Sequence, residues 1–229
     1  MQALTFAAAD RPPHLLCLGA HCDDIEIGCG GTVLSLLEQY PEMSVTWAVM
    51  ASDEKRAAEA LTSAHALLAG TAKKTVLIQS FRDGFLPYNG GAVKEYIESL
   101  KADTPPDLVL THYRHDLHQD HRLVSELTWN TFRDHLIWEY EIPKYDGDMG
   151  NPNFFVPLDA DVCRRKVHNL VASFPSQASK PWFREDLFLA LMRLRGMECQ
   201  APSGYAEGFY CRKAVLGGWG GRTSSHRSR

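Results

Sequence analysis

The sequence predicts an α/β fold, a mostly parallel sheet flanked by helices with an irregular C-terminal lobe, and three observations predict it. Short apolar runs alternate with longer stretches of helical periodicity through residues 14–135, the pattern of strand–helix units wound about one sheet. The chain has 229 residues, 45% of them hydrophobic, enough to fill one large core. Histidine- and aspartate-rich segments fall where strands give way to helices, at the edge where such sheets bind ligands.

Taken in order, residues 14–20 (HLLCLGA) are an apolar run ending in small residues, a strand that leads into a tight loop. Val33, Leu34, Leu36 and Leu37 then line the buried face of a helix over 25–40. The pattern repeats as strand 45–51, helix 54–68, strand 75–79, helix 92–101, strand 108–111 and helix 120–135. This alternation is Rossmann-like, and it puts Ser52 and residues 81–87 (FRDGFLP) at the same sheet edge as the loops after residues 20 and 111. Residues 140–157 contain Pro143, Gly147, Gly150, Pro152 and Pro157, the composition of a long loop. Helices over 159–172 and 182–195 and a strand over 207–212 complete a single domain spanning 1–215. Gly, Ser and Arg dominate 216–229, which reads as a flexible tail.

A net charge of -4 and a pI ≈ 6.2 supply no broad basic surface for a phosphate backbone, which argues against nucleic acid as a partner. Six cysteines without a C-x-x-C pair point to a reduced, cytoplasmic chain. Residues 1–13 lack the basic start and apolar run of a signal peptide, and no apolar stretch approaches the ~18 residues of a membrane span. A small-molecule partner fits better. Self-association as a homo-oligomer is left undecided.

Two segments carry the chemistry. In His21-Cys22-Asp23-Asp24, the spacing of His21 and Asp24 in a tight turn lets both side chains point at one cation while Asp23 points elsewhere. The competing reading is that Asp23 and Asp24 only cap the following helix. The second segment, residues 112–121, holds four of the ten histidines. There His121 can reach a metal from the first helical turn while His118 stays on the preceding loop, and Asp120 can accept a proton from the His118 ring and fix its tautomer. His112 and His115 read as residues that do not touch the metal. Two neutral histidines and one carboxylate make a catalytic zinc set with an open position, and Asp23, beside a ligand, is the natural general base.

Residues 18–24 (LGAHCDD) followed by 28–32, together with His118-Gln119-Asp120-His121-Arg122, resemble the PIG-L/LmbE-like family of zinc-dependent N-acetylglucosamine deacetylases. The resemblance extends to Arg56, Glu59 and Asp83 and covers most of the chain to about residue 215. It implies that His21, Asp24 and His121 bind zinc and that Asp23 is the base. It further implies that His118, oriented by Asp120, stabilises the oxyanion or protonates the leaving amine, and that Arg56 and Asp83 hold sugar hydroxyls. The substrate implied is an N-acetylated amino sugar or its conjugate. One departure is Cys22, where the family usually has proline; proline stiffens a turn, and no ligand is lost with it.

Two other readings remain. Two histidines and a carboxylate also form the Fe2+ triad of non-haem oxygenases, although that triad normally sits on an all-β barrel. A non-enzymatic sugar- or nucleotide-binding module using the first strand–helix loop is the other, although Gly28-Cys29-Gly30-Gly31 is not a proper G-x-G-x-x-G and lies inside the helix.

Overall fold

The computed structural model describes residues 11–71, 73–101 and 105–215; the tail expected over 216–229 lies outside them. Strands β1 (His14–Gly19), β2 (Ser44–Ala51), β3 (Lys73–Phe81), β4 (Leu108–His112) and β5 (Leu136–Tyr140) pair in parallel. Beyond β5, β6 (Phe154–Pro157) and β7 (Ala206–Tyr210) extend the sheet with antiparallel pairings. The order across the sheet is β3-β2-β1-β4-β5-β7-β6. Helices α1 (Asp24–Gln39), α2 (Glu54–Leu67), α3 (Gly90–Ser99), α4 (Gln119–Thr131), α5 (Ala160–Ser173) and α6 (Glu185–Cys199) complete the architecture. Strand order reverses between β1 and β4, so the loops leaving these two strands face each other across the crevice that binds ligands in such sheets.

Both faces of the sheet are covered, and the side chains of β1 divide accordingly. Leu15 and Cys17 enter the core shared with α1, α2, α5 and α6, whereas Leu16 and Leu18 enter the core shared with α3 and α4. A strand buried on both faces reads as a continuous apolar run, which is why HLLCLG shows no alternation. Helix α1 is buried along most of its length. Gly28 lies directly against the Tyr140 ring, where a Cβ would collide with it, and a Cβ at Gly31 would meet Leu158, so these two glycines of α1 serve packing.

The C-terminal lobe is keyed into α1 through buried charge. The Glu207 carboxylate accepts from the backbone N–H of Gly31 (2.9 Å) and Thr32 (2.7 Å), and Lys166 Nζ donates to Ile27 O (2.6 Å) and to Glu207 (2.6 Å). Two elements differ from the sequence reading. The helix expected to run to 135 stops at Thr131 and is followed by β5, and β6 forms within the segment expected to be loop. Among the described residues, no helix is long and apolar enough to cross a membrane.

Candidate metal centre

The centre is assembled at the crevice from the loop after β1 and the loop after β4. The turn after β1 is closed by the His21 backbone N–H, which donates to Asp24 Oδ2 at 2.6 Å. Asp23 occupies the N-cap position of α1 but its side chain makes no capping bond. Its Oδ1 accepts instead from Arg56 Nη2 at 2.8 Å, and its buried Oδ2 has no hydrogen-bond partner. Helix capping therefore does not account for the Asp pair.

His21, Asp24 and His121 meet at one point. His21 Nδ1 lies 3.1 Å from His121 Nε2 and 3.3 Å from Asp24 Oδ2, and His121 Nε2 lies 3.5 Å from Asp24 Oδ1. Ligand atoms placed 2.0–2.2 Å from a tetrahedral zinc are about 3.3 Å apart; the separations here, to Asp24 Oδ2 from His21 and to Oδ1 from His121, are of that size, a spacing that could hold a metal ion. The outer contacts point the same way. His121 Nδ1 is held by Asp116 Oδ2 at 2.9 Å, and His21 Nε2 by Asp120 Oδ2 and Asp83 Oδ1, both at 3.1 Å. With those nitrogens carrying the ring protons, the bare nitrogens of both rings face each other and a carboxylate, a set of acceptors that calls for a cation. Burial disfavours charge on His21, yet Asp24, Asp120 and Asp83 together push its pKa well above the usual range, so the site favours positive charge there, which a second ring proton supplies when no metal does. His121, by contrast, is depressed to about 4 by burial and by His112, which keeps it neutral. Burial would raise Asp24, but the three surrounding imidazoles outweigh it and hold the carboxylate ionised.

His118 caps α4, its Nδ1 accepting from Asp120 N at 3.2 Å. One nitrogen each from His21, His118 and His121 lies within 4.8 Å of the others. Because Nδ1 accepts, the neutral ring carries its proton on Nε2, and burial and the neighbouring His21 lower its pKa, favouring that neutral form. It is the Asp120 backbone N–H that holds the His118 ring, whereas the sequence reading had the Asp120 carboxylate accept from that ring. Asp120 Oδ2 serves His21 and accepts from Gly84 N (2.7 Å), while Oδ1 accepts from Leu86 N (3.1 Å). The residues lie two apart at a helix start, and such pairs do not face each other.

Arg56 and Asp83 both reach the centre. The Arg56 guanidinium bridges Asp23 and Asp83 Oδ2 (3.1 Å), and Asp83 remains 57% exposed, so it is the carboxylate a solute can approach. The contact with His21 holds Asp83 down to about 2, with burial opposing. Glu59 is not a solvated partner of Arg56; it is buried and accepts from Ser176 N at 2.9 Å. The Cys22 thiol is buried, and burial pushes its pKa up to about 12, so it packs as an uncharged group against Ala51 O. Trp182 packs beside the core, and Arg195 is buried against Glu141 and Glu198, so neither is free for a ligand.

Asp116 escaped the sequence reading, and His112, read as a residue that does not touch the metal, packs directly against Asp24 and His121. His112 is buried, stacked on His121 with centroids 4.0 Å apart, and its Nε2 lies 3.1 Å from Asp24 Oδ2 and accepts from Ala20 N at 2.9 Å. It therefore belongs to the centre, whereas His115 is an exposed residue beside Tyr113. Asp116, the partner of His121, was passed over although a carboxylate five residues before a ligand histidine, in the same loop, is a usable signal.

The fold and centre define a class: an α/β protein with a histidine–aspartate cluster that could hold a metal ion at the β1/β4 switch point. The chain belongs to the GlcNAc-PI de-N-acetylase (PIG-L) family, whose model matches residues 16–132. Among solved structures it resembles the conserved protein TT1542 from Thermus thermophilus at 21% identity and TM-score 0.68, covering 88% of this chain and 95% of that one. It also resembles the N,N'-diacetylchitobiose deacetylase from Pyrococcus horikoshii at 24% identity and TM-score 0.63, covering 86% and 82%. The 4-carboxy-2-hydroxymuconate hydratase GalB from Pseudomonas putida KT2440 is similar at 16% identity and TM-score 0.68, covering 89% and 98%. These likenesses are of fold.

Proposed function

We propose that this protein is a zinc-dependent hydrolase that removes the acetyl group from an N-acetylated amino sugar or its conjugate. The observation that carries the reading is the convergence of His21 Nδ1, His121 Nε2 and the Asp24 carboxylate within 3.1–3.5 Å. When bound there, zinc supplies Lewis-acid polarisation of an acyl carbonyl and acidifies an attacking water.

The chain's own residues supply the rest. Burial raises the Asp23 pKa, against the pull of Arg56, which makes it a better proton acceptor than an exposed carboxylate. Arg56 holds Oδ1, leaving Oδ2 to take the proton from water and return it to the departing nitrogen. His118, its Nδ1 occupied, offers Nε2–H to the developing oxyanion as a neutral donor. Asp83 offers its exposed carboxylate to a sugar hydroxyl. Acetate and a free amine leave.

The same fold carries the hydratase, so addition of water to a double bond is the competing chemistry. The test is metal analysis of protein purified without added metal, joined to amine and acetate release from free, lipid-linked and nucleotide-linked N-acetylhexosamines. Bound zinc with equal release of amine and acetate supports the reading. Bound iron with oxygen uptake, or no amine from any acetylated sugar, counts against it.

A further inference from the structure

Between β5 and β6 the chain runs through residues 141–153 without regular structure, yet this loop is tied to the metal centre by one buried ammonium. Lys144 Nζ donates to both oxygens of Asp148, at 2.7 and 2.6 Å, and to Asp116 Oδ2 on the loop after β4 at 2.9 Å. That same Oδ2 holds the His121 ring at 2.9 Å. Asp148 returns to the site side as well, accepting from Leu117 N at 2.6 Å. The three side chains are nearly closed to solvent, at 10% for Lys144, 2% for Asp116 and 6% for Asp148.

We propose that Lys144 is a positioning residue that latches the 141–153 loop against the metal-site loop 113–118, making it a fixed wall of the substrate crevice. Two carboxylates from different loops share one cation. Without that charge they face each other buried and unpaired, which is strongly unfavourable. Asp116 keeps two other donors, His118 N at 2.8 Å and His121 Nδ1, so it stays in place. Asp148 keeps only a backbone contact, and with Glu141 and Gly150 still held by Arg195, residues 143–149 are the part of the loop that leaves. Tyr145 and Met149 on that loop, and Leu117 opposite, are exposed; a latched loop presents them to whatever the reacting sugar is attached to. Only this last step rests on the hydrolase reading.

The test uses full-length Lys144→Met, Lys144→Arg and Asp116→Asn, with hydrogen exchange of residues 141–153 and zinc affinity by chelator competition. For Lys144→Met, exchange in the loop should rise about tenfold or more while zinc affinity stays within about threefold, and Lys144→Arg should restore protection. Asp116→Asn should lower zinc affinity about 10- to 100-fold and raise loop exchange as well, since Lys144 reaches the site loop through the Asp116 carboxylate. With turnover, Lys144→Met should raise KM for an aryl- or alkyl-linked N-acetylhexosamine more than for the free sugar, with little change in kcat. Unchanged loop exchange in Lys144→Met overturns the latch, as does loss of zinc with an unmoved loop. If the parent hydrolyses no acetylated sugar, the hydrolase reading fails while the exchange and zinc measurements still decide the latch.

Discussion

Replacing Asp120 by Asn separates two accounts of that residue. The carboxylate is fully buried and takes three contacts: His21 Nε2 and Gly84 N on Oδ2, and Leu86 N on Oδ1. An amide of the same shape has one oxygen. If that oxygen keeps Gly84 and His21, the new NH2 faces the Leu86 N–H, two donors in contact, at about 1–3 kcal/mol. If it turns the other way, His21 and Gly84 lose their acceptor. Either orientation also removes a negative charge from the ring that faces the metal. Losing such an outer contact lowers metal affinity about 10- to 100-fold, or about 1.4–2.7 kcal/mol. The assay is zinc affinity of parent and Asp120→Asn by competition with a chelating dye at neutral pH, with Tm as a check on folding. Zinc affinity equal to that of the parent, alongside a collapse of turnover, would refute the assignment to His21 and return Asp120 to His118.

His118→Ala should retain zinc and lose about 10²–10³ in kcat, as expected for removal of one oxyanion donor; loss of the metal instead would make His118 a ligand. Gly28→Ala should lower Tm despite alanine's better helix propensity, because the added methyl must displace Tyr140, which donates to Leu18 O at 2.6 Å; an unchanged Tm would show that the ring moves freely. Glu26 is buried with neither oxygen in a hydrogen bond of good geometry, and burial raises its pKa to about 8, only partly offset by Ser63. The folded chain thus holds a proton that the unfolded chain releases above about pH 4.3, so this residue's contribution to stability falls with pH by about 1.4 kcal/mol per unit up to about 8. Glu26→Gln should therefore stabilise chelated protein by about 4 kcal/mol at pH 7 and by nothing near pH 4. Parallel urea-derived stability curves for parent and variant would remove Glu26 from that role.

The alternation of apolar runs and helical periodicity made the parallel sheet and its ligand-binding edge legible, because β1 and β4 are buried on both faces and read as unbroken apolar strings. Strand β5 was harder to see. Its Glu139 interrupts the apolar run, and only the fold shows that this carboxylate is satisfied by Arg114 N, Trp129 Nε1 and Arg212 Nε. The close spacing of His21, Asp23 and Asp24, and of His118 and His121, displayed the polar groups of the centre. The contacts that sort them were not visible. Which ring Asp120 serves depends on helix geometry rather than adjacency, and the approach of His112 to Asp24 joins residues 88 positions apart, a pairing set by β1 and β4 lying side by side. Lys144 sits in a segment that read only as loop, and its partner Asp116 lies on the far side of β5.

The division of the site into three ligands and one base is tested most directly by measuring zinc content and acetate release together for the parent, His121→Ala and Asp23→Asn. The expected result is zinc and acetate release for the parent, neither for His121→Ala, and zinc without acetate release for Asp23→Asn. Zinc lost from Asp23→Asn, or zinc and full activity retained in His121→Ala, would contradict it.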